Sequence, residues 1–398
     1  MSLARANPPH VAIACGGTGG HLFPGLAVAG QILARGGSVT LLISPKEVDQ
    51  QAVKSAEGLE IITLPAVALQ HGRRLAFLRG FWQSWHAARK PFKSRRPDAV
   101  LAMGGFTSAP PVLAARGLGV KTFLHESNTI PGRANRWLAR WVDQAFVGFQ
   151  QTESRLAARQ VTCTGTPVRQ QFQPRDAALC RAALGLDASR PVMLVMGGSQ
   201  GASGINDMIL ATLPMLARQA PQWQWLHLSG PEDADNVRQA YERIGLTAIV
   251  HPFLAEMELA LGAATACVSR AGASSLAELA AVRLPALLIP FPAAADNHQF
   301  YNARAFEETG AAQLLEQRDA TPEKVSGLMR KLVEDVAARD EMKAALVRWH
   351  APKSAERIAG MILDTVARTA EPSRAESETA PARSQPETIT PLQSSTIA

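Results

Sequence analysis

The sequence has few cysteines and shows no pattern of metal-ligating side chains. Its four cysteines, Cys15, Cys163, Cys180 and Cys267, are scattered without the paired spacing of a zinc site. Three of them lie in apolar or helical stretches, where cysteine behaves as a small hydrophobic residue. No pair of carboxylates stands at a suitable strand end. We therefore expect no disulfide, no metal and no cofactor.

Long apolar runs are also lacking. None approaches the ~20 residues of a membrane-spanning helix, and the N-terminal stretch MSLARANPPH has no signal-peptide apolar region. The hydrophobic content of 46% and charged content of 19% are typical of soluble globular proteins. We expect a cytoplasmic protein. Its 398 residues favour two domains of similar size.

Acidic residues are scarce in the first half of the chain. Residues 1–168 contain 19 Lys and Arg against 8 Asp and Glu, whereas the remainder contains 22 against 26. Segment 73–96 has eight Lys or Arg and no acid, with several aromatic and aliphatic residues among them. This pattern is typical of a contact with an anionic membrane surface. A helix packed on the sheet and a nucleic-acid patch are the alternatives. We expect no nucleic-acid partner because no nucleic-acid motif accompanies the charge.

Apolar runs alternate with helical patterns in both halves, which predicts two parallel sheets covered by helices. The first-half strands are predicted at residues 11–14, 39–43, 60–64, 99–103, 122–124 and 145–147. The second-half strands are predicted at residues 192–196, 225–228, 248–250, 266–269 and 286–290. We place domain boundaries at residues 1–168 and 169–368, with a final helix over 352–367. Residues 369–398 are rich in Pro, Ser, Thr and Glu and are predicted to be disordered.

Two glycine-rich turns each join a strand to a helix. The first, CGGTGGHLFPG, spans Cys15 to Gly25, and the second, LVMGGSQGASG, spans Leu194 to Gly204. Glycines let backbone N–H groups converge on an anion near a helix N-terminus. A tight turn without a ligand is the alternative. Two copies favour two phosphate-facing domains.

The glycine turns do not fit a dinucleotide fold or an ATP-splitting loop. Read from Gly17, the third glycine position of G-x-G-x-x-G is Leu22, and the next strand ends in Ser44 where a carboxylate is expected. The second turn fails in the same way. No G-x-x-x-x-G-K-[ST] is present, so an oxidoreductase is disfavoured.

A later segment, VSRAGASSLAELAAVRLPALLIPFPAAADNHQFYNA, has the pattern of a nucleotide-sugar site. Small residues precede a helix predicted to start near Ser274, so a diphosphate can approach its N-terminus. Glu278 lies four residues on, where its carboxylate can accept hydrogen bonds from ribose hydroxyls; a solvated helix glutamate is the alternative. Asp296, His298 and Gln299 follow a strand end, where sugar hydroxyls can bind, although Asp296 also suits a helix N-cap.

Taken in order, the glycine turns, HESN (125–128), TGTPVR (164–169) and the SRAGASSLAE…DNHQFYNA segment resemble the MurG family of peptidoglycan glycosyltransferases over residues 9–365. The resemblance implies a GT-B fold, in which two Rossmann-like domains face a cleft and the last helix crosses back to the first domain. It also implies inverting transfer of N-acetylglucosamine from UDP-GlcNAc to the 4-hydroxyl of the muramoyl unit of lipid I, giving lipid II. The implied location is peripheral, on the cytoplasmic face of the bacterial inner membrane.

The resemblance also implies roles for individual residues. Thr18, Gly19 and Gly20 border the cleft, Asn128 contacts the donor sugar, Arg169 and Ser199 contact the diphosphate, the Leu254 backbone reads uracil, Glu278 binds ribose, and Gln299 contacts the sugar. We expect the first glycine turn to hold the diphosphate of lipid I. His21 is the first candidate for the base because histidine titrates near neutral pH. A turn-orienting role for His21 and a base role for Glu126 remain the alternatives. We expect metal-independent chemistry, with the leaving diphosphate stabilised by Arg169, Ser199 and helix-terminal N–H groups.

Overall fold

A parallel sheet forms the centre of the first half of the chain. The structure, a computed structural model, describes residues 8–46, 49–50, 53, 58–65, 74–198 and 201–370. The strands of this sheet are β1 (His10–Ala14), β2 (Ser38–Ile43), β3 (Glu60–Thr63), β4 (Ala99–Ala102), β5 (Lys121–Glu126), β6 (Gln144–Val147) and β7 (Val161–Cys163). They pair in the order β3-β2-β1-β4-β5-β6-β7. All pairs are parallel, as predicted.

The second half repeats this architecture. Its strands are β8 (Val192–Met196), β9 (Gln224–Leu228), β10 (Ala248–His251), β11 (Ala266–Ser269), β12 (Ala286–Leu288) and β13 (Gln313–Leu314). They pair in parallel in the order β10-β9-β8-β11-β12-β13. The eleven predicted strands are thus present, with ends shifted by up to two residues. The edge strands β7 and β13 were not predicted because each is short and only partly buried.

Helices cover both faces of each sheet. The described helices are α1 (Gly19–Ala34), α2 (Arg74–Ser94), α3 (Ala109–Arg116), α4 (Arg133–Leu138), α5 (Ala177–Ala183), α6 (Ser203–Gln219), α7 (Ala234–Ile244), α8 (Met257–Ala263), α9 (Ala273–Val282), α10 (His298–Glu307), α11 (Pro322–Glu334), α12 (Val336–Trp349) and α13 (Ser354–Ala370).

The final helix packs on the first sheet, as the fold prediction required. Ile358, Ile362 and Val366 of α13 share a buried cluster with β1 and α1, and Glu356 pairs with Arg35 at the end of α1 at 3.4 Å. The helix begins two residues later and ends three residues later than predicted. The first two residues of the predicted disordered tail, 369 and 370, are therefore helical, and residues 371–398 lie outside the described residues.

Strand order brings particular loops together. In each sheet the order reverses direction beside a central strand, between β1 and β4 in the first and between β8 and β11 in the second. Crevices outside the carboxyl ends of the strands at such switch points are the usual binding sites of open α/β sheets. The two glycine turns follow β1 and β8, and the segment that precedes α9 follows β11. The fold therefore places all three segments at switch points.

Candidate active site

A cleft of about 1660 Å³ lies between the two sheets, lined by loops from both. Ten of the residues singled out in the sequence line it: Thr18, Gly19, Gly20, His21, Glu126, Asn128, Arg169, Leu254, Glu278 and Gln299. Ser199, in the second glycine turn, lies outside the described residues. The cleft thus gathers side chains that are up to 281 positions apart in the sequence, from Thr18 to Gln299.

The first glycine turn is held by a buried carboxylate. The Asp49 side chain accepts hydrogen bonds from Gly17 N at 2.6 Å and from Ser44 N at 3.1 Å, and its carboxylate is buried. A β-carbon at Gly16 would lie 2.3 Å from Ser44 N, so only glycine fits there. Gly17 N–H is therefore not free to bind a phosphate, which narrows the predicted anion seat to the N–H groups of residues 18–20.

His21 packs against two glycines that follow β4. A β-carbon at Gly104 would lie 3.0 Å from His21 Nε2, and one at Gly105 would lie 3.1 Å from its Nδ1. Both glycines have positive φ, 107° and 77°, so the loop curls around the ring. Nδ1 lies 3.1 Å from the Thr18 hydroxyl. This packing fixes the ring at the wall of the cleft.

Burial lowers the pKa of the His21 imidazole, while the nearby carboxylates of Glu126 and Asp49 act in the opposite direction. The imidazole is therefore neutral at pH 7, the state in which histidine can accept a proton. When Nδ1–H donates to the Thr18 hydroxyl oxygen, the lone pair of Nε2 is left to accept a proton. Nε2 makes no hydrogen bond to any residue that the structure describes.

Glu126 holds its loop in place through four hydrogen bonds. Its Oε1 accepts from Asn128 N at 2.8 Å and Asn128 Nδ2 at 2.9 Å. Its Oε2 accepts from Gly132 N at 2.9 Å and Asn135 Nδ2 at 2.8 Å. The side chain is 2% exposed. Each carboxylate oxygen already accepts two hydrogen bonds from the protein, so neither is left to take a proton from a substrate hydroxyl and the geometry favours His21.

The Asn128 side chain is already engaged. Besides donating to Glu126, its amide oxygen accepts from Asn302 Nδ2 at 3.0 Å. Asn302 belongs to the second half of the chain, so this bond crosses the cleft. A donor sugar at Asn128 would share an amide that also joins the two domains.

Arg169 and Glu278 both line the cleft, and their charges interact. The Arg169 guanidinium stacks on Phe23 of α1 at 4.3 Å and on Phe172 at 4.9 Å. Burial raises the pKa of Glu278 to about 7, and Arg169 acts to lower it. Arg169 forms no hydrogen bond with another described residue, and its Nε is buried without a partner, so its donors remain available to a diphosphate.

Gln299 is half committed to the protein. Its Oε1 accepts from Phe291 N at 2.9 Å and from Ala271 N at 3.3 Å. Only its Nε2 is left to donate to a sugar hydroxyl. This division of the amide was not foreseen from the sequence.

The loop that precedes α9 is braced by an arginine that sequence reasoning missed. Arg270 donates to the carbonyls of Ile289 and Pro290, both at 3.1 Å, and to Gln317 Oε1 at 2.9 Å. Burial lowers the pKa of Arg270 to about 10, so it stays charged. A β-carbon at Gly204 would lie 2.4 Å from Gln317 Nε2. The brace therefore ties this loop to the start of α6.

Asp296 does not cap a helix, which corrects one alternative. The residue has a positive φ of 51°, and α10 begins two residues later without a side-chain cap. Its carboxylate pairs instead with Arg136 at 2.6 Å and Arg133 at 3.5 Å. Both arginines belong to the first domain, so their attraction outweighs the local cap and the pairs cross the cleft.

Helix α2 has two apolar faces. Ser84, Ala88 and Phe92 are buried, which agrees with the expectation that part of the helix packs on the core. Leu75, Leu78 and Trp82 are 83%, 60% and 61% exposed. Phe77, Leu78 and Phe81 also line the mouth of the cleft. An exposed apolar stripe among basic residues therefore adjoins the candidate site.

Three further observations concern disulfides, metal ligands and membrane-spanning helices. All four cysteines are free. No group of three metal-ligating side chains occurs among the residues that the structure describes. Within the same residues, no helix is long and apolar enough to span a bilayer.

Leu254 follows β10 beside Phe253, which is 51% exposed at the cleft.

Two family models match the chain, one over each half. The glycosyltransferase family 28 N-terminal domain matches residues 11–147 and the C-terminal domain matches residues 192–358. The chain belongs to glycosyltransferase family 28. The first match runs from strand β1 to strand β6 of the first sheet and the second runs from strand β8 to strand β13, so each model matches one sheet of this family 28 chain.

Curated relatives extend the family 28 match over most of the chain. A protein of Anaeromyxobacter dehalogenans (strain 2CP-1 / ATCC BAA-258) is 36% identical over 378 residues, covering 89% of this chain and 93% of its own. One of Citrifermentans bemidjiense is 37% identical over 346 residues, covering 83% and 92%. Both are named UDP-N-acetylglucosamine–N-acetylmuramyl-(pentapeptide) pyrophosphoryl-undecaprenol N-acetylglucosamine transferase.

Solved structures agree with the GT-B fold. The MurG crystal structure from Acinetobacter baumannii superposes with a TM-score of 0.69 at 27% identity, covering 90% of this chain and 100% of that one. The calicheamicin glycosyltransferase CalG4 superposes with a TM-score of 0.62 at 17% identity, covering 92% and 100%, which supports the fold alone.

Proposed function

We propose that the chain transfers N-acetylglucosamine from UDP-N-acetylglucosamine to the 4-hydroxyl of the muramoyl unit of lipid I, forming lipid II. The observation that carries this proposal is the match to the named transferases over 89% of the chain. The cleft supports it because residues that suit donor and acceptor face each other there. Glu278, Arg169 and Gln299 stand on the donor side, and His21 stands on the acceptor side.

The donor side can hold the UDP-sugar without a metal. Arg169 offers unpaired guanidinium donors, and α9 begins at Ala273 with its N-terminal N–H groups at the cleft. Both stabilise negative charge on a departing diphosphate. The Glu278 carboxylate suits two ribose hydroxyl donors, and the remaining Gln299 amide donor suits a sugar hydroxyl.

The acceptor side supplies the base. Neutral His21 takes the proton from the attacking 4-hydroxyl, its ring held by Gly104, Gly105 and the Thr18 hydroxyl. The oxygen then attacks the anomeric carbon as the bond to UDP breaks. We propose inversion at that carbon, because a single displacement by a hydroxyl activated on the opposite face needs no covalent intermediate.

The exposed stripe of α2 suits a peripheral contact with a membrane. Leu75, Leu78 and Trp82 stand on one side of the helix, at spacings of three and four residues. Exposed Arg79, Lys90 and Lys93 lie on the same helix, and each cation near an anionic surface contributes about 1 kcal/mol. Since lipid I is anchored by its lipid, this contact would bring the cleft mouth to the acceptor.

The direct test is UDP release with each substrate varied. We expect rapid UDP formation from UDP-N-acetylglucosamine only when lipid I is present, unaffected by a chelator. UDP formation without lipid I, or conversion of the donor to an epimer without an acceptor, would contradict the proposal. Loss of activity with a chelator and its recovery with one divalent ion would refute the metal-independent mechanism alone.

A further inference from the structure

Asn302, in the middle of α10, is fully buried between the two domains. Its amide oxygen accepts hydrogen bonds from Thr129 N at 2.9 Å and Thr129 Oγ1 at 3.0 Å. Its amide nitrogen donates to Asn128 Oδ1 at 3.0 Å and to Ala271 O at 3.2 Å. All four positions of the amide are therefore used.

These four bonds join the two sides of the cleft. Thr129 and Asn128 belong to the loop that Glu126 anchors on the acceptor side. Ala271 belongs to the loop that precedes α9, and its N–H is held by Gln299. One buried amide thus connects the acceptor-side loop to the donor-side loop.

The same helix contacts the first domain again one turn later. The ring centroid of Phe306 in α10 lies 6.4 Å from that of Phe149, which follows β6. Gln299 lies three residues before Asn302 on the same helix, at the cleft. Helix α10 therefore carries a predicted sugar contact on a segment fixed to the first domain at two points.

Other contacts across the cleft are more exposed. Arg136 and Asp296 have side chains that are 44% and 30% exposed, and Ser274 Oγ donates to Gly20 O at 2.9 Å at an exposed site. Exposed ion pairs contribute about 0–1 kcal/mol. Buried hydrogen bonds have a fixed geometry and are costly to leave unmade. Asn302 therefore fixes the position of one domain relative to the other more firmly than these exposed contacts do.

We propose that Asn302 is a positioning residue for glycosyl transfer, which sets the distance between the activated acceptor hydroxyl and the donor sugar. This inference rests on the proposed function. A misplacement of about 1 Å can cost on the order of 100-fold in rate. Loss of the correct distance between the two substrates should therefore lower kcat, while the nucleotide site of the second domain should still bind UDP.

The informative variant is Asn302→Asp. Its carboxylate still accepts from Thr129, but the second oxygen meets two acceptors, Asn128 Oδ1 and Ala271 O. Gln224→Glu is the matched control. Gln224 is 1% exposed at the amino end of β9, on the opposite edge from the cleft. It accepts from Asp187 N and donates to Asp187 O and Arg190 O, so the control also loses two donated bonds.

We expect Asn302→Asp to lower kcat by about tenfold or more, measured below the melting temperature, with calorimetric affinity for UDP within about threefold of wild type. Burial raises the pKa of a carboxyl group, and the introduced carboxyl group can donate again once it is protonated. The ratio of variant to wild-type kcat should therefore rise as pH falls. For Gln224→Glu we expect a lower melting temperature, unchanged kcat and a flat ratio.

Equal kcat in Asn302→Asp and wild type would overturn the inference. A fall in UDP affinity as large as the fall in kcat would also overturn it. If Asn302→Asp does not fold, Thr129→Val decides, since it removes one bond to Asn302 Oδ1. We expect a smaller fall in kcat with unchanged UDP affinity, and an unchanged kcat would reject the inference. Failure of wild type to transfer the sugar would instead reject the proposed function.

Discussion

Replacing Glu126 by Gln separates an anchoring role from a catalytic one. The substitution preserves the shape of the side chain but leaves one oxygen and one NH₂ group to face four donors. Whichever way the amide turns, its NH₂ points either at the two Asn128 donors or at Gly132 N and Asn135 Nδ2. Two hydrogen bonds to a buried carboxylate are therefore lost.

The cost follows from the number and kind of these bonds. Hydrogen bonds to charged groups contribute about 1.5–3 kcal/mol each, so the free energy of unfolding should fall by about 3–6 kcal/mol. At about 2–4 °C per kcal/mol for a domain of this size, the melting temperature should fall on the order of 10 °C. Thermal unfolding followed by circular dichroism measures this shift.

Glu153→Gln is the control for this measurement. Glu153 accepts one hydrogen bond from Cys163 N at 2.7 Å through Oε1, which a Gln oxygen can still accept, so we expect little change in melting temperature. A melting temperature for Glu126→Gln within about 2 °C of wild type, together with a fall in kcat of about 10²–10⁴, would refute the anchoring argument. That result would identify Glu126 as the base.

Three further predictions follow from the site and from α2. His21→Ala should lower kcat by about 10²–10⁴, and wild-type kcat should fall with decreasing pH only below 6.5, because burial lowers the pKa of His21 from that value; similar turnover would contradict the base role. For Glu278, burial raises the folded-state pKa from 4.5 to about 7, so its stabilising contribution is complete below pH 4.5 and is lost as pH rises through about 7. Glu278→Gln should therefore raise the melting temperature at pH 8. Wild-type UDP affinity should fall between pH 8 and 6, because the carboxylate that accepts the ribose hydroxyls becomes protonated, and the affinity of the variant should not change over this range. An unchanged melting temperature, or the same pH dependence of UDP affinity in variant and wild type, would count against this account. Leu78→Ser should weaken sedimentation with anionic vesicles while Leu179→Ser, at another exposed leucine, should not, and equal wild-type binding to neutral vesicles would exclude an electrostatic contribution.

The sequence predicted the parts of the fold that depend on local pattern. Apolar runs gave the central strands because strands buried on both faces of a parallel sheet are continuously hydrophobic. Edge strands such as β13 lack this signal, since their two residues are only partly buried. The glycine turns were found because glycine spacing is a local feature.

Contacts between distant residues had no local signal. The bond from Gly17 N to Asp49 joins positions 32 apart, and no spacing rule connects a glycine turn to an aspartate beyond the next strand. The bonds of Asn302 depend on how the two domains meet, which no periodicity encodes. The ion pairs of Asp296 with Arg133 and Arg136 depend on the same meeting, so a cap was the natural expectation from the sequence alone.

The product of the reaction tests the central claim most directly. The chain would be incubated with UDP-N-acetylglucosamine and lipid I in anionic vesicles, and the lipid product would be identified by mass spectrometry. We predict that lipid I gains one N-acetylhexosamine while an equal amount of UDP appears, and that a donor with another sugar reacts far more slowly. An unmodified lipid I, under conditions in which the protein is folded and binds UDP, would contradict the account.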